Sequence, residues 1–208
     1  MYTHRKQFIK GGKPFTETDK AIVMIHGRGG SAEDIISLQR FLSIEDMAIY
    51  APQATNNSWY PYSFMASEQD NQPALDSAIV TIGEAVEEIK ANGIKEEDIY
   101  FLGFSQGACL TLEYVARNAK KYGGVIAFTG GLIGKQLIND RYRGDFQGSR
   151  ILISSSDPDP HVPVSRVMET VEVLKTFGGE ITLQLYKNKS HSISKEELEL
   201  ANKLLVHA

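Results

Sequence analysis

Short runs of consecutive apolar residues alternate along this chain with longer stretches in which apolar positions recur every three or four residues. The first pattern predicts strands and the second amphipathic helices, so their alternation predicts an α/β fold: a mostly parallel sheet with helices on both faces. Strands are expected at Ala21 to His26, Met47 to Ala51, Ile99 to Phe104, Gly124 to Thr129, Ile151 to Ser154 and Ile181 to Tyr186. Most are unbroken apolar runs, as expected of strands covered on both sides. Gln7 to Ile9 is a candidate antiparallel edge strand. Helices are expected at Ala32 to Leu42 behind Ser31, Ala74 to Ala91 ahead of Gly93, Gln106 to Lys121, Val164 to Thr176, and Lys195 to Val206. The last follows Ser194, which has capping-box spacing to Glu197.

Two stretches fit neither period. Gly130 to Gly148 is polar and punctuated by glycine, whereas Ala54 to Gln72 concentrates aromatic side chains. Long loops of α/β proteins sit over the carboxyl ends of the strands. Trp59, Tyr60, Tyr62, Phe64 and Met65 are therefore expected either to line an acyl or alcohol pocket or to pack this loop onto the body. No repeat or linker interrupts the chain, so residues 1–208 are expected to form one domain.

Composition narrows the function. With 42% hydrophobic and 23% charged residues the chain is of ordinary globular type, and its net charge of −4 comes without a basic stripe, which argues against nucleic acid. Met1 to Lys13 is polar, and no apolar run is long enough to span a bilayer, so neither standard export nor membrane insertion is expected. Cys109 is the only cysteine, which leaves no internal disulfide and fits a reducing cytoplasm. The five histidines show no metal-binding spacing, so no catalytic metal is expected.

The chemistry concentrates at Gly103-Phe104-Ser105-Gln106-Gly107, a G-x-S-x-G string that follows an expected strand and opens an expected helix. That context makes Ser105 a candidate nucleophile on a strained turn. A serine hydroxyl needs a base and an acid to orient it, in the order Ser, Asp or Glu, His for this arrangement. His191 stands between the last strand and the last helix, where the base belongs. His207 falls in the terminal helix, and His161 is expected at a pocket rim. Asp157 and Asp159 share the loop after Ile151 to Ser154, and both are candidates for the acid. His26-Gly27-Arg28-Gly29-Gly30 can aim backbone N–H groups at the mouth of the sheet, so the oxyanion donors are expected to be the amides of Arg28 and Gln106. The Arg28 side chain is either a steering cation for an anionic substrate or a solvated loop arginine. His26 is expected to brace its loop, and Cys109 to be a buried, inert thiol. A non-catalytic binding protein on the same fold, or a hydrolase of amides, peptides or lactones, would satisfy the same pattern.

With those residues in place the chain resembles the phospholipase/carboxylesterase family of α/β hydrolases, which includes small bacterial carboxylesterases and the acyl-protein thioesterases. The resemblance runs from about Ala21 to Leu205 and rests on His26-Gly27-Arg28-Gly29-Gly30, on Gly103-Phe104-Ser105-Gln106-Gly107-Ala108, on Asp159 with Val162-Pro163, and on His191. It implies an α/β-hydrolase fold without a large cap, hydrolysis of esters or thioesters of short or medium acyl groups, no cofactor, and association as a homodimer. It also selects Asp159 as the acid, which makes Asp157 a solvated or turn-forming neighbour. Two positions depart from the family: Ser154-Ser155-Ser156-Asp157-Pro158-Asp159 replaces an H-G-x-x-D run, and Lys189-Ser190 stands where a glycine commonly precedes the histidine.

Overall fold

A computed structural model describes residues 1–137 and 139–206. His207 lies outside the described residues. Among the described residues seven strands form one sheet: β1 (Phe8–Gly12), β2 (Ala21–Ile25), β3 (Ala48–Pro52), β4 (Ile99–Phe104), β5 (Gly124–Phe128), β6 (Arg150–Asp157) and β7 (Glu180–Lys187). Their spatial order is β1-β3-β2-β4-β5-β6-β7, with β1 antiparallel to β3 and every other pairing parallel. β2, β3 and β5 are buried at every position, so an unbroken apolar run is what the sheet requires of them.

The two faces are covered by the α-helices α1 (Ala32–Ile36), α2 (Ala74–Ala91), α3 (Gln106–Arg117), α4 (Val164–Thr176) and α5 (Lys195–Val206). Successive residues of β2 alternate between two cores, because side chains of a strand point to opposite faces. Val23 and Ile25 join Phe101, Val125 and Ile153 beneath α2, α3 and α4. Ile22 and Met24 join Leu102, Ile126 and Leu152 beneath α1 and α5.

Four boundaries differ from the sequence expectation by three residues or more, among them β1, expected at Gln7 to Ile9, which stays paired with β3 as far as Gly12. The first helix keeps α geometry only to Ile36 and continues as a 3₁₀ turn over Ser37–Phe41, where the Ser37 hydroxyl donates to the Asp34 carbonyl at 2.7 Å. α3 stops at Arg117 instead of Lys121, because the Ala119 backbone turns away to bond with Arg143 and Asp145. β6 runs three residues past Ser154. Serine has little intrinsic preference for strands, but pairing with β7 in register Ser154↔Gln184, Ser155↔Leu185, Ser156↔Tyr186 and Asp157↔Lys187 extends it.

Candidate active site

The turn between β4 and α3 is forced by its two glycines. A Cβ on Gly103 would collide with the Gly107 carbonyl and the Thr111 hydroxyl, and one on Gly107 with the carbonyls of Ile25 and His26. Ser105 between them sits at φ 54°, ψ −118°, a region that side-chain-bearing residues rarely adopt. Its hydroxyl is thereby presented at the carboxyl end of the sheet, and its own amide is held by the Phe128 carbonyl at 2.9 Å.

His191 and Asp159 arrive from the far side of the sheet. His191 Nε2 lies 2.8 Å from Ser105 Oγ, and His191 Nδ1 lies 2.9 Å from Asp159 Oδ2. The other carboxylate oxygen, Asp159 Oδ1, accepts the amides of His161 at 2.8 Å and Val162 at 2.9 Å. Burial pushes the Asp159 carboxyl pKa up, but the imidazole and the two amides more than offset this and hold it below the usual carboxylate value. Asp157 closes β6, is exposed, and makes no contact with His191 among the described hydrogen bonds.

Neither the Arg28 nor the Gln106 amide meets an acceptor among the described residues. Gly27 sets the spacing between their loops, since a Cβ there would press on the Phe104 carbonyl and on Ser105 Cβ. His26 is buried. Its Nδ1 donates to the Gly27 carbonyl at 2.7 Å, and its Nε2 accepts the Ala54 amide at 3.1 Å, which defines a neutral tautomer. Burial keeps that ring's pKa below the ordinary histidine value.

A cavity of about 540 Å³ opens on Ser105 and His191. Of the five side chains expected either to line a pocket or to pack the loop, Tyr60, Tyr62 and Phe64 line it and Trp59 and Met65 do not. Trp59 is 0% exposed because its indole N–H turns inward to the His26 carbonyl at 2.8 Å, and Met65 packs against the core. Cys109, Pro160, His161 and Val162 complete the wall. Burial lifts the Cys109 thiol to about 12, so it contributes surface and no thiolate.

Two sets of supporting side chains escaped the sequence reading. The Gln106 carboxamide accepts the Trp59 amide at 2.9 Å and donates to the Tyr60 carbonyl at 2.8 Å, which ties the aromatic segment to the residue after Ser105. Lys189 and Glu197 hold the opposite loop. The Lys189 ammonium donates to the Ser190 carbonyl at 3.2 Å and to the Ser192 carbonyl, one on each side of His191. It also lies 3.2 Å from Glu197, whose side chain is 0% exposed and takes the Ser154 hydroxyl at 2.6 Å. Glu197 closes the capping box as well, accepting the Ser194 amide at 2.7 Å. The signal was present as Lys189-Ser190, where a glycine commonly precedes the histidine in the family, followed by S-x-x-E.

The family model for phospholipase/carboxylesterase matches residues 12–207. The chain belongs to the phospholipase/carboxylesterase family. It is thus a carboxylesterase-type hydrolase on the α/β-hydrolase fold. It is 59% identical to a phospholipase/carboxylesterase from Dyadobacter fermentans DSM 18053, whose crystal structure matches with TM-score 0.98 over 99% of each chain. A probable carboxylesterase SOBER1-like protein of Arabidopsis thaliana is 27% identical over 195 residues, covering 86% of this chain and 74% of the relative. Acyl-protein thioesterase 1 of Saccharomyces cerevisiae is 25% identical over 202 residues, covering 86% of this chain and 88% of the relative. Among the described residues no helix is long and apolar enough to cross a membrane.

Proposed function

We propose that this family member hydrolyses carboxylic esters or thioesters of small to medium acyl groups through an acyl-enzyme on Ser105. The observation that carries this reading is the unbroken hydrogen-bond chain from Ser105 Oγ through His191 to Asp159. His191 Nε2 takes the hydroxyl proton as Oγ attacks the carbonyl, then passes it to the leaving alcohol or thiol. The free amides of Arg28 and Gln106 hold the negative charge on the carbonyl oxygen, where losing one donor typically costs about 3 kcal/mol of transition-state stabilisation. Water, activated by the same imidazole, releases the acid. Asp159 keeps Nδ1 protonated and stabilises the imidazolium without accepting its proton.

A serine-directed fluorophosphonate is expected to label the protein, and Ser105→Ala to abolish labelling. On a 4-nitrophenyl ester, Asp159→Asn is expected to lower kcat by roughly 10⁴-fold, as loss of the correct tautomer does in triads of this kind, and Asp157→Asn to leave it within about twofold. A protein that takes no label, or that loses its activity with Asp157 and keeps it without Asp159, overturns the assignment.

A further inference from the structure

Among the described residues Arg28 is the one formally charged side chain in the lining of the Ser105 cavity. That lining also contains His161 and His191 and no aspartate or glutamate. Asp159, the nearest carboxylate in the site, is turned onto His191 and two amides with its side chain 0% exposed, so it offers nothing to a ligand.

Arg28 is the fixed cation of this wall. Its Nη1 donates to the Ser58 hydroxyl at 3.1 Å and to the Pro61 carbonyl at 2.8 Å, and its Nη2 donates to the Tyr62 carbonyl at 2.6 Å. The guanidinium also stands 5.9 Å from the centre of the Tyr60 ring. These partners are neutral: they fix the position of the group and leave its charge uncompensated. No carboxylate lies within ion-pair distance of it among the described residues. Of the five guanidinium N–H groups, three are engaged, which leaves Nε–H and one Nη2–H for a ligand. A guanidinium already ordered by the protein loses little side-chain entropy when it takes up a planar anion.

We propose that Arg28 forms an anion subsite, and that the preferred substrate is an ester bearing a carboxylate on its acyl or its alcohol portion. This deepens the hydrolase reading and rests on it. The same residue would then act twice: its amide on the developing oxyanion, and its side chain, one arginine length away, on a permanent negative charge of the substrate. A neutral ester fills the cavity with no partner for the two free donors. A carboxylate-bearing ester satisfies them and removes the unbalanced charge.

Matched pairs of esters test this on the purified protein. The mono-4-nitrophenyl ester of adipic acid against 4-nitrophenyl hexanoate places the charge on the acyl side. 3-Acetoxybenzoate against methyl 3-acetoxybenzoate places it on the alcohol side. The expected result is a kcat/KM at least about tenfold higher for the charged member of one pair at low ionic strength, the size of one charge-assisted hydrogen-bond pair. That ratio is expected to shrink as salt is added, to fall to about one in Arg28→Met, and to survive in part in Arg28→Lys. Because each ratio is taken within one protein, any general effect of the substitution on the loop cancels, and the salt series needs no variant. Turnover of the neutral esters with no preference for the charged partner in either pair overturns the subsite and leaves the hydrolase reading standing, as does a preference unchanged by salt and by Arg28→Met. A protein inert toward all four esters that also takes no fluorophosphonate overturns both.

Discussion

The cavity above Ser105 has two walls on facing loops, and they are held in place by different chemistry. The aromatic wall, from Ala54 to Phe64, is secured without an ion pair among the described residues: the Gln106 carboxamide on Trp59 and Tyr60, the buried Asn71 carboxamide on Tyr62 and Ser63, the rings of His4 and His26 on Thr55, Trp59 and Ala54, and the Arg28 guanidinium on the neutral acceptors of Ser58, Pro61 and Tyr62. The histidine wall, from Lys187 to Ser194, is secured by a charged pair, with the Lys189 ammonium on the two carbonyls flanking His191 and the buried Glu197 carboxylate behind it. In the proposed mechanism the first wall shapes what enters and the second positions a proton carrier. Hydrogen bonds outside an ion pair tolerate small displacements of a wall whose proposed task is to shape the cavity and exclude water. A proton carrier needs its ring held at hydrogen-bond distance from two partners at once, and displacement of a reacting group by about 1 Å can lower a rate by roughly a hundredfold.

The comparison breaks first at Lys189. Lys189→Met frees the Ser190 and Ser192 carbonyls and strands a buried carboxylate, and kcat is expected to fall by roughly a hundredfold with KM little changed. Thermal or urea unfolding is expected to register a loss of about 3 kcal/mol, the usual consequence of removing one partner from a buried pair. Adding Glu197→Gln to Lys189→Met separates the two effects. Stability is expected to recover in part because the stranded charge is gone, whereas kcat stays low because nothing restrains the carbonyls around His191. If kcat recovered along with stability, Lys189 would be a fold-stabilising residue and no positioning residue.

Much of this site was legible from local sequence. Gly103, Ser105 and Gly107 could be read because the close approach of β4, α3 and β2 leaves no room for a Cβ at either glycine, so geometry and composition coincide within five residues. The parallel sheet was legible for a similar reason, since burial on both faces writes itself as unbroken apolar runs. Other parts depend on partners far along the chain. Ser155 to Asp157 is a strand only because β7 lies beside it. Which of the adjacent Trp59 and Tyr60 faces the cavity depends on where the His26 carbonyl and the Gln106 carboxamide stand. Glu197 was legible as a cap, but its link to Lys189, eight residues earlier, appears only when the loop folds back across His191.

On the aromatic wall the expected effects are smaller and fall on KM. Gln106→Ala leaves the buried Trp59 amide without its partner, which costs about 1–3 kcal/mol if the segment does not shift, while the Tyr60 carbonyl keeps only the Ser58 hydroxyl at 2.9 Å. The segment is expected to shift outward, because no ion pair binds it to Ser105, and KM for a 4-nitrophenyl ester is expected to rise by about tenfold while kcat stays within about threefold. The Gln106 backbone amide, which faces the oxyanion in the proposed mechanism, is unaffected by loss of the side chain. A fall in kcat as large as that of Lys189→Met would mean that both walls position the reacting groups, and the contrast between them would be lost.

The smallest expected effect is on pH response, and it concerns the aromatic wall alone. His4 and His26 each use one ring nitrogen as a donor and the other as an acceptor of a backbone N–H, of Thr55 and Ala54 respectively, so adding a proton to either ring destroys the accepting bond. Burial holds both pKa values below the ordinary histidine value of 6.5, despite opposing hydrogen bonds to the Trp59 and Gly27 carbonyls. The unfolded chain therefore binds more protons than the folded one as pH drops through 6.5. The stability these rings contribute is complete above that pH, and declines from there down to their lowered folded values. Between pH 7 and pH 5, once corrected for the intrinsic exchange rate, the Ala54 and Thr55 amides are expected to lose protection against hydrogen exchange by a few-fold. The amides of β4 are expected to keep theirs. In the same window Asp159, lowered further still from the carboxylate range, stays ionised and keeps its bond to His191. Equal loss of protection at Ala54 and at the Val162 amide that Asp159 holds would show the two walls loosening together.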